Sequence, residues 1–344
     1  MNKYRAMVKG KEMNVLTLQQ LWDEGRNRLQ QAQVTEYDLD ARYLLLEAFE
    51  IDFTHFLIKR NENLDITDKR VLCAKERYED WIKKRSKRIP LQHLTGKQAF
   101  MGLEFTVNEH VLIPRQDTET LAELVMKCCP ERGCDSSATR LLDMCTGSGC
   151  IAVSLFMLGG FRDVTAADIS LPALKTAYAN VSNCMAHSDN RIVKAAHKTI
   201  SDSPWKVENI WEITGETGSF INKFTLIESD LFQNLDKSLK YDIIVSNPPY
   251  IATEVIEKLE PEVRDHEPRL ALDGTADGLH FYRRLAEEGK TYLRDQGHMF
   301  LEIGYDQGEA VTRLLMEKGY KVIEIVKDAS GLDRVVHACV TGSM

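Results

Sequence analysis

Leu141-Leu142-Asp143-Met144-Cys145-Thr146-Gly147-Ser148-Gly149-Cys150 passes from an apolar run into a glycine-rich turn and continues as Ile151-Ala152-Val153-Ser154-Leu155. That order reads as strand, glycine turn and helix, the opening of a Rossmann-like unit. Gly147 and Gly149 allow positive φ and a close approach of the backbone to a ligand. Asp168 ends the next apolar stretch, Val164-Thr165-Ala166-Ala167-Asp168. A carboxylate there, about 20 residues downstream, is placed to grip ribose hydroxyls. The full G-x-G-x-x-G pattern is absent, because Cys145 and Ala152 do not supply its outer glycines. A pyrophosphate cofactor such as NAD is therefore disfavoured.

A second strand end carries the chemistry. Tyr241-Asp242-Ile243-Ile244-Val245-Ser246 reads as a buried strand and is followed at once by Asn247-Pro248-Pro249-Tyr250. Two prolines cannot continue a ladder, so the strand stops and the chain bends. A carboxamide, free carbonyls and an aromatic ring are left at the carboxyl edge of a sheet, where open α/β sheets bind ligands. The Asn247 side-chain oxygen and the Pro248 carbonyl are suited to accept from a planar NH2 group while Tyr250 stacks on it. Taken alone, Asn-Pro-Pro is more often a plain turn. Together with the upstream loop it points to S-adenosyl-L-methionine and methyl transfer to a planar nitrogen. On this reading Cys145, Thr146, Gly147, Ser148, Gly149 and Asp168 hold the cofactor, with Asn247 beside it.

Further segments resemble one family. Pro90–Gly96, Phe100–Phe105, Val111-Leu112-Ile113-Pro114-Arg115-Gln116-Asp117-Thr118-Glu119, Glu262–Pro268, Ala271–Gly274 and Asp277-Gly278-Leu279 are similar to the release-factor glutamine methyltransferases (the HemK/PrmC family). The likeness covers roughly residues 15–184 and 223–340. It implies methylation of N5 of the glutamine in the Gly-Gly-Gln motif of peptide-chain release factors 1 and 2. It also implies a seven-stranded α/β methyltransferase sheet preceded by a small all-α domain. Catalysis falls to Asn247, Pro248 and Tyr250, with Pro249 and Phe100 beside the substrate. Asp230 and Leu231 are implied at the adenine, and Arg115 at the cofactor lid. Several roles stay open from the residues alone: Phe100 as a hairpin core residue, Arg115 as a partner of Asp117 or Glu119, and Asp230 as a helix cap. The family usually has Gly where this chain has Cys145, so the φ of Cys145 is either negative or strained.

At 344 residues the chain is long enough for two domains. The division expected is a helical partner-binding domain over 1–90, a linker with a β-hairpin over 91–116, and the methyltransferase domain over 117–344. In the first part, Leu16–Leu29, Glu36–Phe49, Phe53–Lys59 and Thr67–Arg88 show helical spacing, with Thr35 and Thr67 as capping candidates. Pro90–Gly96 reads as linker, and Phe100–Ile113 as a hairpin turning at Asn108-Glu109-His110. Strands are expected at 140–144, 163–168, 224–228, 241–246, 298–303, 321–327 and 333–340, the last two antiparallel. An extra segment near 185–222 holds Trp205 and Trp211. It reads as a surface excursion of open purpose, with an aromatic anchor for a partner as its functional alternative.

Net charge is −8 and uneven: residues 1–90 hold 18 Lys/Arg against 15 Asp/Glu, and the remainder 26 against 37. An acidic catalytic part argues against a nucleic-acid substrate, which demands phosphate contacts. This weakens the runner-up, an amino-methyltransferase acting on adenine or guanine. A catalytically silent S-adenosyl-L-methionine scaffold has only Cys145 in its favour. The basic run Lys83–Arg88 is expected to be a solvated helix end. Eight cysteines without a C-x-x-C pair read as reduced thiols, without a metal site. No run approaches a membrane span, and a cytoplasmic protein is expected.

Overall fold

The computed structural model describes residues 6–8, 11–13, 16–131, 138–186, 191–200, 207–217 and 220–340. Two units emerge, residues 1–96 with 261–266, and residues 97–260 with 267–344. The first begins with β1 (Ala6–Val8) and β2 (Lys11–Met13), paired antiparallel. It continues as α1 (Leu18–Gln31), α2 (Tyr37–Phe49), α3 (Phe53–Lys59), α4 (Lys69–Arg85) and α5 (Leu91–Thr95). Leu18, Leu21, Gly25 and Leu29 form the buried stripe of α1. Gly25 is required by close approach, since a Cβ there would run into the Tyr78 ring and hydroxyl. That hydroxyl instead donates to the Leu21 carbonyl at 3.2 Å.

Three local expectations are corrected in this unit. Thr35 and Thr67 cap nothing. The capping box belongs to Thr17 and Gln20, and Asp68 caps α4 by accepting from the Arg70 amide. Pro90–Gly96 is no bare linker, because α5 forms there and ends at Gly96 in the left-handed region. Nor is the basic run uniformly solvated. Arg85 is buried against Asp40 at 2.7 Å and Glu262 at 2.8 Å, and Arg88 pairs with Glu262 at 2.6 Å.

The second unit opens with a hairpin of β3 (Lys97–Phe100) and β4 (Leu103–Thr106). Its turn is Met101-Gly102, not Asn108–His110. Both turn residues have positive φ, +52° and +75°, the geometry that joins twisted antiparallel strands through two residues. After a short 3-10 turn at Gln116–Thr118 comes α6 (Glu119–Glu131), and then β5 (Arg140–Met144), α7 (Cys150–Leu158), β6 (Asp163–Asp168) and α8 (Leu171–Ala186). Next are β7 (Arg191–Ile200), β8 (Val207–Thr217), β9 (Phe220–Glu228) and β10 (Tyr241–Ser246). Short helices α9 (Thr253–Ile256), α10 (Pro261–Arg264) and α11 (Arg269–Leu272) follow, α10 belonging to the first unit. The chain closes with α12 (His280–Tyr292), β11 (Leu293–Glu302), α13 (Gly308–Glu317), β12 (Tyr320–Lys327) and β13 (Asp333–Val340).

The sheet order is β12-β13-β11-β10-β5-β6-β9-β8-β7. Strands β11, β10, β5, β6 and β9 run parallel, and β13 lies antiparallel between β11 and β12. These are the seven strands expected. Among the described residues the sheet holds nine, because the described parts of 185–222 include two strands: β8 pairs antiparallel with β9, and β7 with β8. Ile213 of β8 is fully buried. Trp205 and the side chain of Trp211 lie outside the described residues. Alternate residues of each inner strand feed opposite faces. Leu141, Val164, Ile243 and Val245 pack on the α6–α8 side, while Leu142, Ala167, Ile244 and Leu301 pack on the α12–α13 side. The order reverses between β5 and β10, which opens a crevice at their carboxyl ends.

Candidate active site

The loop after β5 is held from beneath. Asp143, fully buried, accepts from the Thr146 hydroxyl at 2.6 Å and from the Ala152 amide at 3.2 Å. Burial pushes its carboxyl up to about 7. Asn180 of α8 donates to the Ser148 carbonyl at 2.9 Å, and the Gly149 amide donates to the Thr146 carbonyl. Gly147 and Gly149 take φ of +56° and +80°. Cys145 also sits in the left-handed region at φ +62°, the strained alternative of the two foreseen for it.

Asp168 terminates β6 beside this loop. One carboxylate oxygen accepts from the Gly147 amide and the other from the Ser170 amide, each at 2.8 Å. An ionised carboxylate offers about four lone-pair sites, so capacity remains for two ligand hydroxyls. Burial raises its pKa above the ordinary carboxylate value.

Strand β10 ends at Ser246, whose hydroxyl donates to the Met144 carbonyl at 2.6 Å and ties the two strand ends together. Asn247 is half-buried, and its Nδ2 donates to the Thr118 hydroxyl at 3.4 Å. The Tyr250 backbone is clamped. Gln307 donates to its carbonyl at 3.0 Å, and a Cβ on Gly274 would stand 2.8 Å from its Cα. Ile251 adds paired backbone bonds with Leu272 and Gly274. The segments Ala271–Gly274 and Asp277–Leu279 thus have a stated task, which is to fix the exit from Asn-Pro-Pro-Tyr.

These strand ends line one cavity of about 300 Å³. Its wall includes the 145–148 loop, Asp168, Asp230, Leu231, Asn247, Pro249 and Arg115. Val111, Ile169 and Phe281 supply apolar surface. An apolar slot with a carboxylate at its strand end fits a nucleoside, so these residues fit S-adenosyl-L-methionine. Gly149 lies behind the loop, where a Cβ would press to 3.0 Å from Ala177. Leu231, buried at φ +48°, is a second strained residue on the wall.

Not every expected residue joins them. Phe100 is 1% exposed and packs edge-on against Phe105 in the core beneath α6 and α7. It sits in the hairpin core and does not line the cavity, because β3 turns its apolar residue inward. Arg115 pairs with buried Glu267 instead of Asp117 or Glu119. Asp230 is held by Arg284 at 2.6 Å, a partner the sequence did not signal. Pro248 and Tyr250 adjoin the cavity without lining it, and Tyr250 packs against the α12–α13 core.

The sequence reading missed Thr118, Arg284 and Glu302. The signal for Glu302 was available: an acid closing the apolar run Met299-Phe300-Leu301 demands a partner. All six described cysteines are unbridged. Away from the cavity, Cys128, Glu324 and His337 bring three ligating atoms within 4.8 Å of one another. Both His337 ring nitrogens are already engaged, by Glu324 and by His298, each at 3.1 Å. That is the arrangement of a satisfied buried histidine.

Residues 20–96 match the family model described as the PrmC N-terminal domain. A release factor glutamine methyltransferase of Fusobacterium nucleatum is 33% identical over 300 residues, which is 87% of this chain and 72% of that protein. Another, of Caulobacter vibrioides, is 33% identical over 321 residues, covering 93% of this chain and 96% of that protein. A solved release-factor-specific protein-(glutamine-N5) methyltransferase of Alicyclobacillus acidocaldarius is 28% identical with a TM-score of 0.34, over 69% of this chain and 99% of that one.

Proposed function

Because the chain belongs to the release factor glutamine methyltransferase family, we propose that it transfers a methyl group from S-adenosyl-L-methionine to the N5 amide nitrogen of the Gly-Gly-Gln glutamine of release factors 1 and 2. The observation that carries the reading is convergence. The 145–148 loop, Asp168 and Asn247 come from the carboxyl ends of three adjacent strands and meet in one cavity.

The cofactor supplies an electrophilic methyl group on a sulfonium. An amide nitrogen is a poor nucleophile, so the protein's task is alignment and charge stabilisation, with alignment worth up to ~7–11 kcal/mol. Asp168 would hold the ribose, and the 145–148 loop the donor's amino-acid end. Asp230, fixed by Arg284, and Leu231 would border the base. Asn247 Oδ1 and the Pro248 carbonyl accept the two amide protons and favour positive charge on the nitrogen as it reacts. Tyr250 and Pro249 flank the amide plane. No basic side chain is needed before transfer, since the proton leaves afterwards.

The helical unit is the part we assign to partner binding. Leu39, Tyr43, Phe53, Leu57 and Ile58 of α2 and α3 are between 43% and 69% exposed, an apolar face suited to another protein. Among the described residues, no helix is long and apolar enough to cross a membrane.

Incubation with methyl-labelled cofactor, release factor, its Gln→Ala variant at the Gly-Gly-Gln motif, and nucleic acid tests the reading. Label confined to the native release factor is the expected outcome. Label in nucleic acid supports the adenine or guanine reading, and cofactor binding without transfer to anything supports a silent scaffold.

A further inference from the structure

Glu302 ends β11, the strand parallel to β10, one step beyond the Ser246↔Leu301 pair, so it stands beside Asn247. It is 2% exposed. The Thr118 hydroxyl and the Asn247 side chain stand beside its carboxyl, and both favour its charged form. Asn247 Nδ2 in turn donates to Thr118 Oγ1 at 3.4 Å. Glu302 Oε2 has no hydrogen-bond partner, which is a costly state for a buried carboxylate kept only for stability.

The orientation of an Asn side chain is decided by its network. An ionised carboxylate only accepts, so a Thr118 hydroxyl turned toward it keeps its lone pairs for Nδ2–H. Both inward partners therefore select the NH2 end of Asn247, and the oxygen is left facing the cavity. We propose that Glu302 is a positioning residue that, with Thr118, locks the Asn247 carboxamide with its oxygen toward the substrate amide. The inference rests on the role given to Asn247 above.

The lock has a protonation state. Burial pushes Glu302 up to about 7, against the lowering influence of Thr118, Arg334 and Asn247. Other groups face this cluster from neighbouring elements. Arg334 of β13 is itself held by Asp328 and Asp117, and Tyr250 and Cys150 face it across the strand ends. The Tyr282 hydroxyl of α12 donates to the Glu302 carbonyl at 2.8 Å. The sign is set by the carboxyl. Above pH 7 it is charged and accepts from the amide; below, it carries a proton that it can donate to Oδ1, so the flipped amide is no longer penalised.

The test compares full-length protein with Glu302→Gln, Asn247→Ala and the double variant, using release factor and S-adenosyl-L-methionine between pH 6 and 9. Glu302→Gln is expected to lower kcat about tenfold at high pH, the scale of one lost orienting hydrogen bond. Cofactor affinity by calorimetry should stay within about twofold, because Glu302 acts on the substrate's acceptor and not on the cofactor. The wild-type rate should fall below pH about 7 toward that of the variant, whose own shallower profile keeps only the titration of Asp143 beneath the cofactor loop. The double variant should be no slower than Asn247→Ala alone, because Glu302 works only through Asn247. A wild-type kcat in Glu302→Gln, with Asn247→Ala defective, overturns this inference alone, as does full additivity in the double variant. Undiminished transfer by Asn247→Ala overturns the catalytic reading and the lock with it. Should Glu302→Gln melt early, the wild-type profile decides, and a rate flat from pH 6 to 9 overturns the lock.

Discussion

The two ends of this sheet's construction differ in kind. At the carboxyl edge of β5, β6, β9 and β10, particular side chains and unusual backbone meet: Asp143, Asp168 and Asn247, with Cys145 and Leu231 both at positive φ. At the outer edge, β7 and β8 extend the sheet past β9 through antiparallel backbone pairing. One edge depends on which residues stand there. The other depends on amide and carbonyl groups that nearly any sequence supplies. Cys145 and Leu231 put left-handed non-glycine backbone at the first, where surrounding structure must enforce it.

The contrast breaks most visibly at Asn247. Asn247→Ala is expected to lower methyl transfer by two to three decades, ~3–4 kcal/mol of lost transition-state stabilisation, with cofactor binding little changed. Single-turnover assays beside calorimetry read both quantities, and a mutant that turns over normally would remove the chemistry from this edge.

Asp168→Ala comes next, with the opposite signature. It deletes the carboxylate that accepts from Gly147 and Ser170 and that we assign to the ribose. Cofactor affinity should weaken by ~1.5–3 kcal/mol. Unchanged binding in the calorimeter would put the ribose contact elsewhere.

The outer edge answers to excision. Met185 is in the core and β9 begins at Phe220, so the cut must join Ala186 to Phe220. The shortened enzyme should fold and bind cofactor. It should lose up to ~1.5–3 kcal/mol in denaturant unfolding, since the Ile213 side chain no longer covers the core. Loss of cofactor binding would show that the two edges are not independent.

The smallest effect is expected at Cys145→Gly. Relief of a left-handed non-glycine residue, ~1–2 kcal/mol, is partly offset by the greater unfolded-state freedom of glycine. A net gain below ~1 kcal/mol in thermal unfolding is anticipated. A clear loss instead would mean that the thiol's packing outweighs its backbone.

What was legible in the sequence follows the same divide. The strand ends at Met144, Asp168 and Ser246 were readable because apolar runs stop at glycine, acid or proline. The 185–222 strands were not, since pairing to β9 leaves no periodic signature in weakly patterned residues. The hairpin turn was misplaced because alternation alone does not locate the two positive-φ residues, Met101 and Gly102. Phe100 was half-readable, a core phenylalanine inside a motif otherwise tied to function. The pairings of Arg284 and Glu267 were invisible because their partners lie 54 and 152 residues away.

The cavity wall draws on segments from His110 to Arg284, none of which closes it locally. Such a site has no existence in a partly assembled chain, because loop closure must precede every contact that makes it. Ligand occupancy therefore reports on completed topology. Any cofactor that binds only the finished sheet acts as a thermodynamic fastener for the whole catalytic unit, adding ~2.7 kcal/mol at a hundredfold excess over its Kd.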